Sequence, residues 1–266
     1  MIEIGCHFDI ANVTAEAAAA GATAAQVFLS DPQKWVSKTI AYPGGAEALK
    51  HDAAAAHLPL YVHAPYLINV ASLAPKTRHM GRNMLRSTIS GAAAIGAKGV
   101  IVHGGHLAAE DDPIEGFLNW KKAIDAVFAE GATRGSVPVF IENTAGGNNP
   151  MAKGLDRIAV LWEAISHSEF AAHVGFALDT CHAWAAGWDL STAVADVKKI
   201  TGRIDVIHLN DSRDAFNSGA DRHAPLGQGT IPSDLLVNLV KEAKAPVIIE
   251  THGDPKTEID WLKERL

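Results

Sequence analysis

Short apolar runs rich in β-branched residues recur along the chain, separated by longer stretches in which apolar positions return every three to four residues. The runs read as strands over roughly Ile2 to His7, Ala25 to Leu29, Leu60 to His63, Gly99 to His103, Val137 to Glu142, Val174 to Asp179, Ile204 to Leu209 and Val247 to Glu250. The helical periodicity predicts helices over Pro75 to Ile95, Ile114 to Arg134, Leu155 to Ser166, Ser233 to Ala243 and Lys256 to Arg265. Alternation of this kind is the mark of βα units around a parallel sheet, and eight strands suggest closure into a (β/α)8 TIM barrel. No linker-like, low-complexity or repeated segment divides residues 1–266, so a single domain is expected. Two longer irregular stretches, Ser30 to Gly45 and Asn210 to Pro232, each follow a strand. That places them on the C-terminal rim, where barrels carry their chemistry.

Composition narrows the picture. A chain of 266 residues with 48% hydrophobic content can bury one large core. The two cysteines, Cys6 and Cys181, are too few for a disulfide framework and point to a reducing compartment. Met1 to Gly5 reads as an alternating strand rather than a leader, and no uncharged apolar run reaches membrane-spanning length. The expectation is a cytoplasmic protein with no membrane partner. A formal charge of −7 argues against simple electrostatic binding of nucleic acid. Histidine is over-represented, with thirteen residues against three tyrosines, and histidine is the commonest metal ligand.

The position of the metal-binding side chains is the informative feature. His63, His103, Glu142, Asp179, His208 and Glu250 stand at or near the ends of predicted strands three to eight, without a gap. One such residue is ordinarily a hydrogen-bonded cap. Six converging on one barrel mouth would repel each other unless cations neutralised the carboxylates and accepted the imidazole lone pairs. In the loops, His182 follows Asp179 by three residues, and Asp221 and His223 alternate so that an extended backbone projects them to one side. These three could close a separate N2O site with open coordination positions, as catalytic zinc requires. Cys181 reads as a packed thiol rather than a ligand. His7, His106 and His252 also lie near strand ends and suit hydrogen-bonding or surface roles.

These residues sit in strings that resemble the endonuclease IV family along nearly the whole chain: His63-Ala64-Pro65-Tyr66-Leu67-Ile68-Asn69, Ile141-Glu142-Asn143-Thr144-Ala145-Gly146, Leu178-Asp179-Thr180-Cys181-His182, His208-Leu209-Asn210-Asp211-Ser212, Asp221-Arg222-His223 and Glu250-Thr251. The resemblance implies three zinc ions, with Mn2+ as an alternative at one position. A first would be held by His63, His103 and Glu142, and a second by Glu142, Asp179, His208 and Glu250, with Glu142 bridging. A third would be held by His182, Asp221 and His223. Three departures bear on DNA contacts: His103-Gly104-Gly105-His106 where the family often has His-Pro-Gly, His7-Phe8-Asp9-Ile10 in place of small residues, and Gln33 where an Arg is common, with Lys34 beside it supplying charge.

The implied activity is hydrolysis of DNA 5′ to abasic sites, leaving a 3′-hydroxyl and a 5′-deoxyribose phosphate, together with trimming of blocked 3′ ends. The nucleophile would be a metal-bound hydroxide, from a water whose pKa falls from about 15.7 toward ~7 between two ions. Three divalent ions nearly cancel the formal −7. Against the four ligand carboxylates they leave the site at about +2, which attracts phosphate. The expected partner is double-stranded DNA with abasic or 3′-blocked lesions, bound by a monomer. Tyr66 and Leu67 are candidate wedges into the base stack, and Trp35 a stacking surface. Asn69, Gln33, Lys34, Arg213 and Arg222 are candidate backbone contacts. A sugar isomerase of the xylose-isomerase type, needing no third site, and a non-catalytic damage-binding module are the alternatives.

Overall fold

The computed structural model of the chain describes residues 2–31, 33, 40–129 and 137–266. The apolar runs form β1 (Ile4–His7), β2 (Ala24–Val27), β3 (Leu60–His63), β4 (Gly99–His103), β5 (Val139–Glu142), β6 (Val174–Asp179) and β7 (Val206–His208). A two-stranded hairpin of β8 (Asp211–Ser212) and β9 (His223–Ala224) precedes the closing strand β10 (Val247–Ile249). β1 to β7 and β10 pair in parallel and close, with β1 bonded to both β2 and β10. β3, β4 and β6 span the expected runs, whereas the others are shorter because only residues partnered across the stagger are paired; β7 keeps Val206 to His208 out of Ile204 to Leu209.

Around the barrel lie α1 (Val13–Ala20), α2 (Gly45–Ala55), α3 (Pro75–Ala94), α4 (Pro113–Phe128), α5 (Leu155–Ser166), α6 (Thr180–Ala185), α7 (Ala193–Thr201), α8 (Ser233–Ala243) and α9 (Pro255–Lys263). The helix expected over Ile114 to Arg134 starts one residue earlier: Asp112 caps it by accepting from the Ile114 N–H, and Pro113 occupies the first turn. It ends at Phe128, and residues 130–134 of that expectation lie outside the described residues. α9 is shifted in the same way, with Asp254 accepting from the Thr257 N–H ahead of its first turn and the last turn closing at Lys263. Sequence periodicity did not single out α1, α2, α6 or α7; α1 is nearly all alanine on its apolar and polar sides alike, and α6 has only six residues. No helix among the described residues is long and apolar enough to cross a membrane.

Alternation along the strands organises the interior. Ala24, Tyr61, Ile101, Phe140, Ala177, Val206 and Ile248 form a buried apolar cluster enclosed by the barrel. Residues two apart on a strand face the same side. The next inward position on each of these strands is therefore Gln26, His63, His103, Glu142, Asp179, His208 and Glu250, and β1 adds His7 two residues beyond Gly5. One polar side chain per strand thus sits directly above an apolar floor. Gly5 is required at the floor level, since a Cβ there would stand 1.8 Å from the Ala24 carbonyl oxygen.

Candidate metal centre

The polar layer is buried and short of protons. Glu142, Asp179 and His208 are fully buried, and His63 is 2% exposed. His63 and His103 point Nε2 at Glu142 Oε2 from 3.4 and 3.3 Å. His208 points Nδ1 at Glu142 Oε1 and Glu250 Oε2 from 3.0 and 2.9 Å. Ligand-type atoms of His63, His103 and Glu142 lie within 4.8 Å of one another, and so do those of Glu142, Asp179, His208 and Glu250. Glu142 belongs to both groups, which is the sharing a bridging carboxylate needs.

Hydrogen bonds on the far side of each ring fix which nitrogen is bare. A carbonyl oxygen only accepts, so His63 Nδ1 donates to Ala64 O (2.7 Å) and His182 Nδ1 to Asn143 O (2.9 Å). His223 Nδ1 likewise faces Glu250 O at 3.4 Å. His208 Nε2 faces Gln26 Oε1 at 2.9 Å. In each case the remaining nitrogen confronts carboxylate oxygens, lone pair against lone pair. Glu142 Oε2 and His223 Nε2 are buried with no hydrogen-bond partner among the described residues. Only protons or cations can fill such gaps. Without a cation, burial opposes charge on His208, yet Glu250 and Glu142 outweigh it and raise its pKa well above the usual imidazole range. Burial likewise opposes charge on Glu142, but His208 and His103 drive its pKa well below the usual carboxylate range. Burial keeps His7 neutral by lowering its pKa to about 4, against the pull of Glu250. The donor set, imidazole and carboxylate with second hydrogen bonds orienting each ring, fits divalent metal ions.

The loop-borne group differs from its sequence reading in detail. His182 is not in a loop: it lies on α6, whose cap is Asp179, with Oδ1 accepting the His182 N–H at 2.6 Å. Asp221 stands between two imidazoles, Oδ2 at 3.1 Å from His182 Nε2 and Oδ1 at 3.2 Å from His223 Nε2. His182 and His223 also fall within 4.8 Å of an Asp179 oxygen, and Asp221 and His223 within the same range of Cys181. Cys181 is fully buried, and burial pushes its thiol pKa up to about 12, as a packed thiol requires. The long loop that carries Asp221 and His223 is held by the buried Asp211 carboxylate, which accepts from the N–H groups of Gly227 (3.1 Å), Gly229 (2.9 Å) and Ile231 (3.0 Å).

At the rim, Tyr66 is 54% exposed and packs its ring 5.4 Å from His63 and 5.6 Å from His103. It stands between a cleft of about 700 Å³ over the polar layer and a second of about 840 Å³ that Leu67 also lines. Arg213 and Arg222 line the first cleft. Each is engaged: Arg213 Nε donates to His223 O at 2.8 Å, and Arg222 forks onto Asp214. Asn69, an expected DNA contact, lines the second cleft. Its amide is buried and committed to the backbone of His106, donating to the carbonyl oxygen at 2.8 Å and accepting the N–H at 3.4 Å. Gly105 beside it is required as glycine: it adopts a φ of +75°, and a Cβ there would meet Asn69 Oδ1 at 2.7 Å. Gln33 is exposed, and Lys34 and Trp35 lie outside the described residues.

Sequence reading missed Gln26, a fully buried amide in the polar layer that bonds to His7, for which a hydrogen-bonding or surface role was expected. The available signal was a polar residue at the same inward position as the ligand-type residues on the other strands. Asn210, which donates to Asp179 Oδ2 at 2.7 Å, was also missed.

Comparison with known proteins agrees with this geometry. Residues 14–265 match the family described as xylose isomerase-like TIM barrel. The chain is 50% identical over 263 residues to a protein of Mycobacterium tuberculosis (strain ATCC 25177 / H37Ra) named probable endonuclease 4, covering 98% of both chains. The Mycobacterium leprae (strain Br4923) protein of the same name is 47% identical, again over 98% of both. Endonuclease IV from Thermus thermophilus superposes with a TM-score of 0.82 at 27% identity, over 99% of this chain and 98% of that one. A D-tagatose 3-epimerase-like protein shares the fold, with a TM-score of 0.79 at 19% identity, over 99% of this chain and 97% of that one. Half of all positions identical across almost the full length is far more than a shared barrel demands, and the chain belongs to the endonuclease IV family of xylose isomerase-like TIM barrels.

Proposed function

We propose that this chain is a zinc-dependent phosphodiesterase that cuts double-stranded DNA 5′ to abasic sites, leaving a 3′-hydroxyl and a 5′-deoxyribose phosphate, and that it trims blocked 3′ ends. The observation that carries the reading is the set of imidazoles whose bare nitrogens face carboxylates. His63, His182, His208 and His223 each commit one ring nitrogen to a carbonyl or amide oxygen and turn the other toward Glu142, Asp221 or Glu250. We assign His63, His103 and Glu142 to one ion, Glu142, Asp179, His208 and Glu250 to a second, and His182, Asp221 and His223 to a third, with Mn2+ able to replace zinc at one of them.

Divalent ions supply the lowered pKa of an attacking water and charge for the departing 3′ oxygen. The protein's own part is orientation. Glu142 joins the two deeper groups through its two oxygens, so their spacing is set by one carboxylate on β5. Asp221 and His223, on the loop held by Asp211, stand beside them, with His223 Nε2 3.8 Å from Asp179 Oδ2. Tyr66 and Leu67, on the loop that follows His63, are positioned to enter the stack where a base is missing. Arg213 and Arg222 line the cleft and are assigned to phosphate contact, and Gln33, Lys34 and Trp35 are assigned to the DNA on their sequence alone. The separate His182, Asp221 and His223 group favours this reading over a sugar isomerase, for which a single metal site suffices.

Elemental analysis of the purified chain, paired with incision of a duplex carrying one abasic analogue, tests the proposal. About three zinc ions per chain are expected, together with cutting that a chelator abolishes and added Zn2+ restores. One metal per chain with turnover of a ketose or aldose would overturn it.

A further inference from the structure

Two members of the polar layer, His7 on β1 and Gln26 on β2, belong to none of the ligand groups, yet one amide links them to two residues that do. Gln26 Nε2 lies 2.5 Å from Glu250 Oε1 and 3.0 Å from His7 Nδ1, and Gln26 Oε1 lies 2.9 Å from His208 Nε2. A carboxylate oxygen can only accept, so the NH2 end of the amide must face Glu250. The carbonyl end must then face His208, whose Nε2 carries the proton. The second amide hydrogen falls to His7 Nδ1, which accepts it. His7 is left with its proton on Nε2, which has no hydrogen-bond partner among the described residues, on a ring that lines the cleft and packs 4.4 Å from Phe28.

We propose that Gln26 is a positioning residue whose single amide sets two tautomers, presenting a bare His208 Nδ1 to the metal cluster and a His7 Nε2–H donor to an anionic oxygen of the substrate strand. The alternatives at this position fail for physical reasons. An apolar residue would leave Glu250 Oε1 and the His208 Nε2–H without these partners in a buried site. A Glu would keep an acceptor for His208 but set a further negative charge against Glu250 and withdraw the hydrogen that His7 accepts. The inference rests on the phosphodiesterase reading, but its test does not depend on cutting.

The zinc-loaded full chain, labelled with 15N-histidine, is compared with Gln26→Leu and Gln26→Glu by long-range 1H–15N correlation spectra, which distinguish the two imidazole tautomers. In the parent protein both His7 and His208 should show the Nε2–H form. Gln26→Leu should lose the single tautomer at His7 and bind zinc at the Glu142, Asp179, His208 and Glu250 group on the order of 10- to 100-fold more weakly in chelator competition. Gln26→Glu should keep the His208 signature and lose that of His7. For the substrate arm, His7→Phe should raise the equilibrium Kd for the abasic duplex by roughly tenfold, the scale of one hydrogen bond to a charged group, with zinc content unchanged, and His7→Gln should recover part of it; an unchanged Kd overturns this arm. An Nδ1–H form at His7 in the parent, or both tautomers and zinc affinity unchanged in a folded Gln26→Leu, overturns the inference. Should Gln26→Leu not fold, the parent and Gln26→Glu spectra still decide. Parent protein that shows both tautomers but does not cut would sink the phosphodiesterase reading alone.

Discussion

Two regions supply the candidate ligands, and they are held in place by different physics. His63, His103, Glu142, Asp179, His208 and Glu250 stand on or immediately after barrel strands, one position above the apolar floor of Tyr61, Ile101, Phe140 and their neighbours. Their convergence follows from the two-residue period of a strand and from barrel closure. Asp221 and His223 come from a long loop whose strand pair has two residues a side, and the loop is tied down by hydrogen bonds, among them those to the buried Asp211 carboxylate and from Arg213 to the His223 carbonyl. His182 is intermediate, fixed by the short α6 that begins where β6 ends. The barrel gives the first set its geometry as a by-product of folding, whereas the second set has to be tied down by dedicated hydrogen bonds.

That contrast can be broken from either side. The largest effect is expected for Glu142→Ala, which removes the carboxylate common to both deeper groups; incision should fall on the order of 10³-fold or more, the scale of a preorganised electrostatic group, with zinc content down by more than one ion. Retention of full zinc content would separate the two groups and undo the bridging assignment. Next comes Asp211→Ala, which strands four backbone N–H groups, those of Ser212, Gly227, Gly229 and Ile231, and should cost about 1–3 kcal/mol for each one left buried. Its signature is selective: the His182, Asp221 and His223 group should lose its metal while the Glu142 groups keep theirs, read by stepwise chelation. Uniform loss across all groups would show that the loop and the barrel are not separately anchored.

The smaller effects sharpen the comparison at the rim. Changing Tyr66 and Leu67 together to Ala should weaken binding to an abasic duplex by about tenfold or more, on the scale of aromatic stacking, with zinc content unaltered; unchanged affinity removes both from recognition. Asn69→Ala, which breaks only the tether to the His106 backbone, should lower the melting temperature by a few degrees, in keeping with one or two lost hydrogen bonds (about 1–2 kcal/mol). A loss of DNA affinity as large as that of the Tyr66 and Leu67 pair would instead return Asn69 to the binding surface.

The barrel and the strand-borne ligands were legible in the sequence because both are written in a local period. A run such as Val-Ile-Val-His at 100–103 carries its own alternation, and the side chain at its end needs no further information to be placed in the mouth. His182 was harder to read, since a six-residue helix leaves too little periodicity to distinguish from a loop. Asn69 has a second partner that the sequence does not show: its amide bonds to the backbone of His106, 37 residues away, which becomes visible only when the two loops are brought alongside. Gln26 escaped notice because its chemistry is relational. An amide in an apolar strand has no meaning until Glu250, 224 residues on, dictates which of its ends faces which neighbour.

The floor beneath the polar layer has a kinetic corollary. Tyr61 and Phe140 are each 5% exposed, and with Ile101, Val206 and Ile248 they close the barrel below Glu142 and His208. Among the described residues, ions at the deepest position are therefore approached from the cleft that Tyr66, Asp221 and His252 line. Filling and emptying of the cluster should proceed in sequence rather than at random, last in and first out.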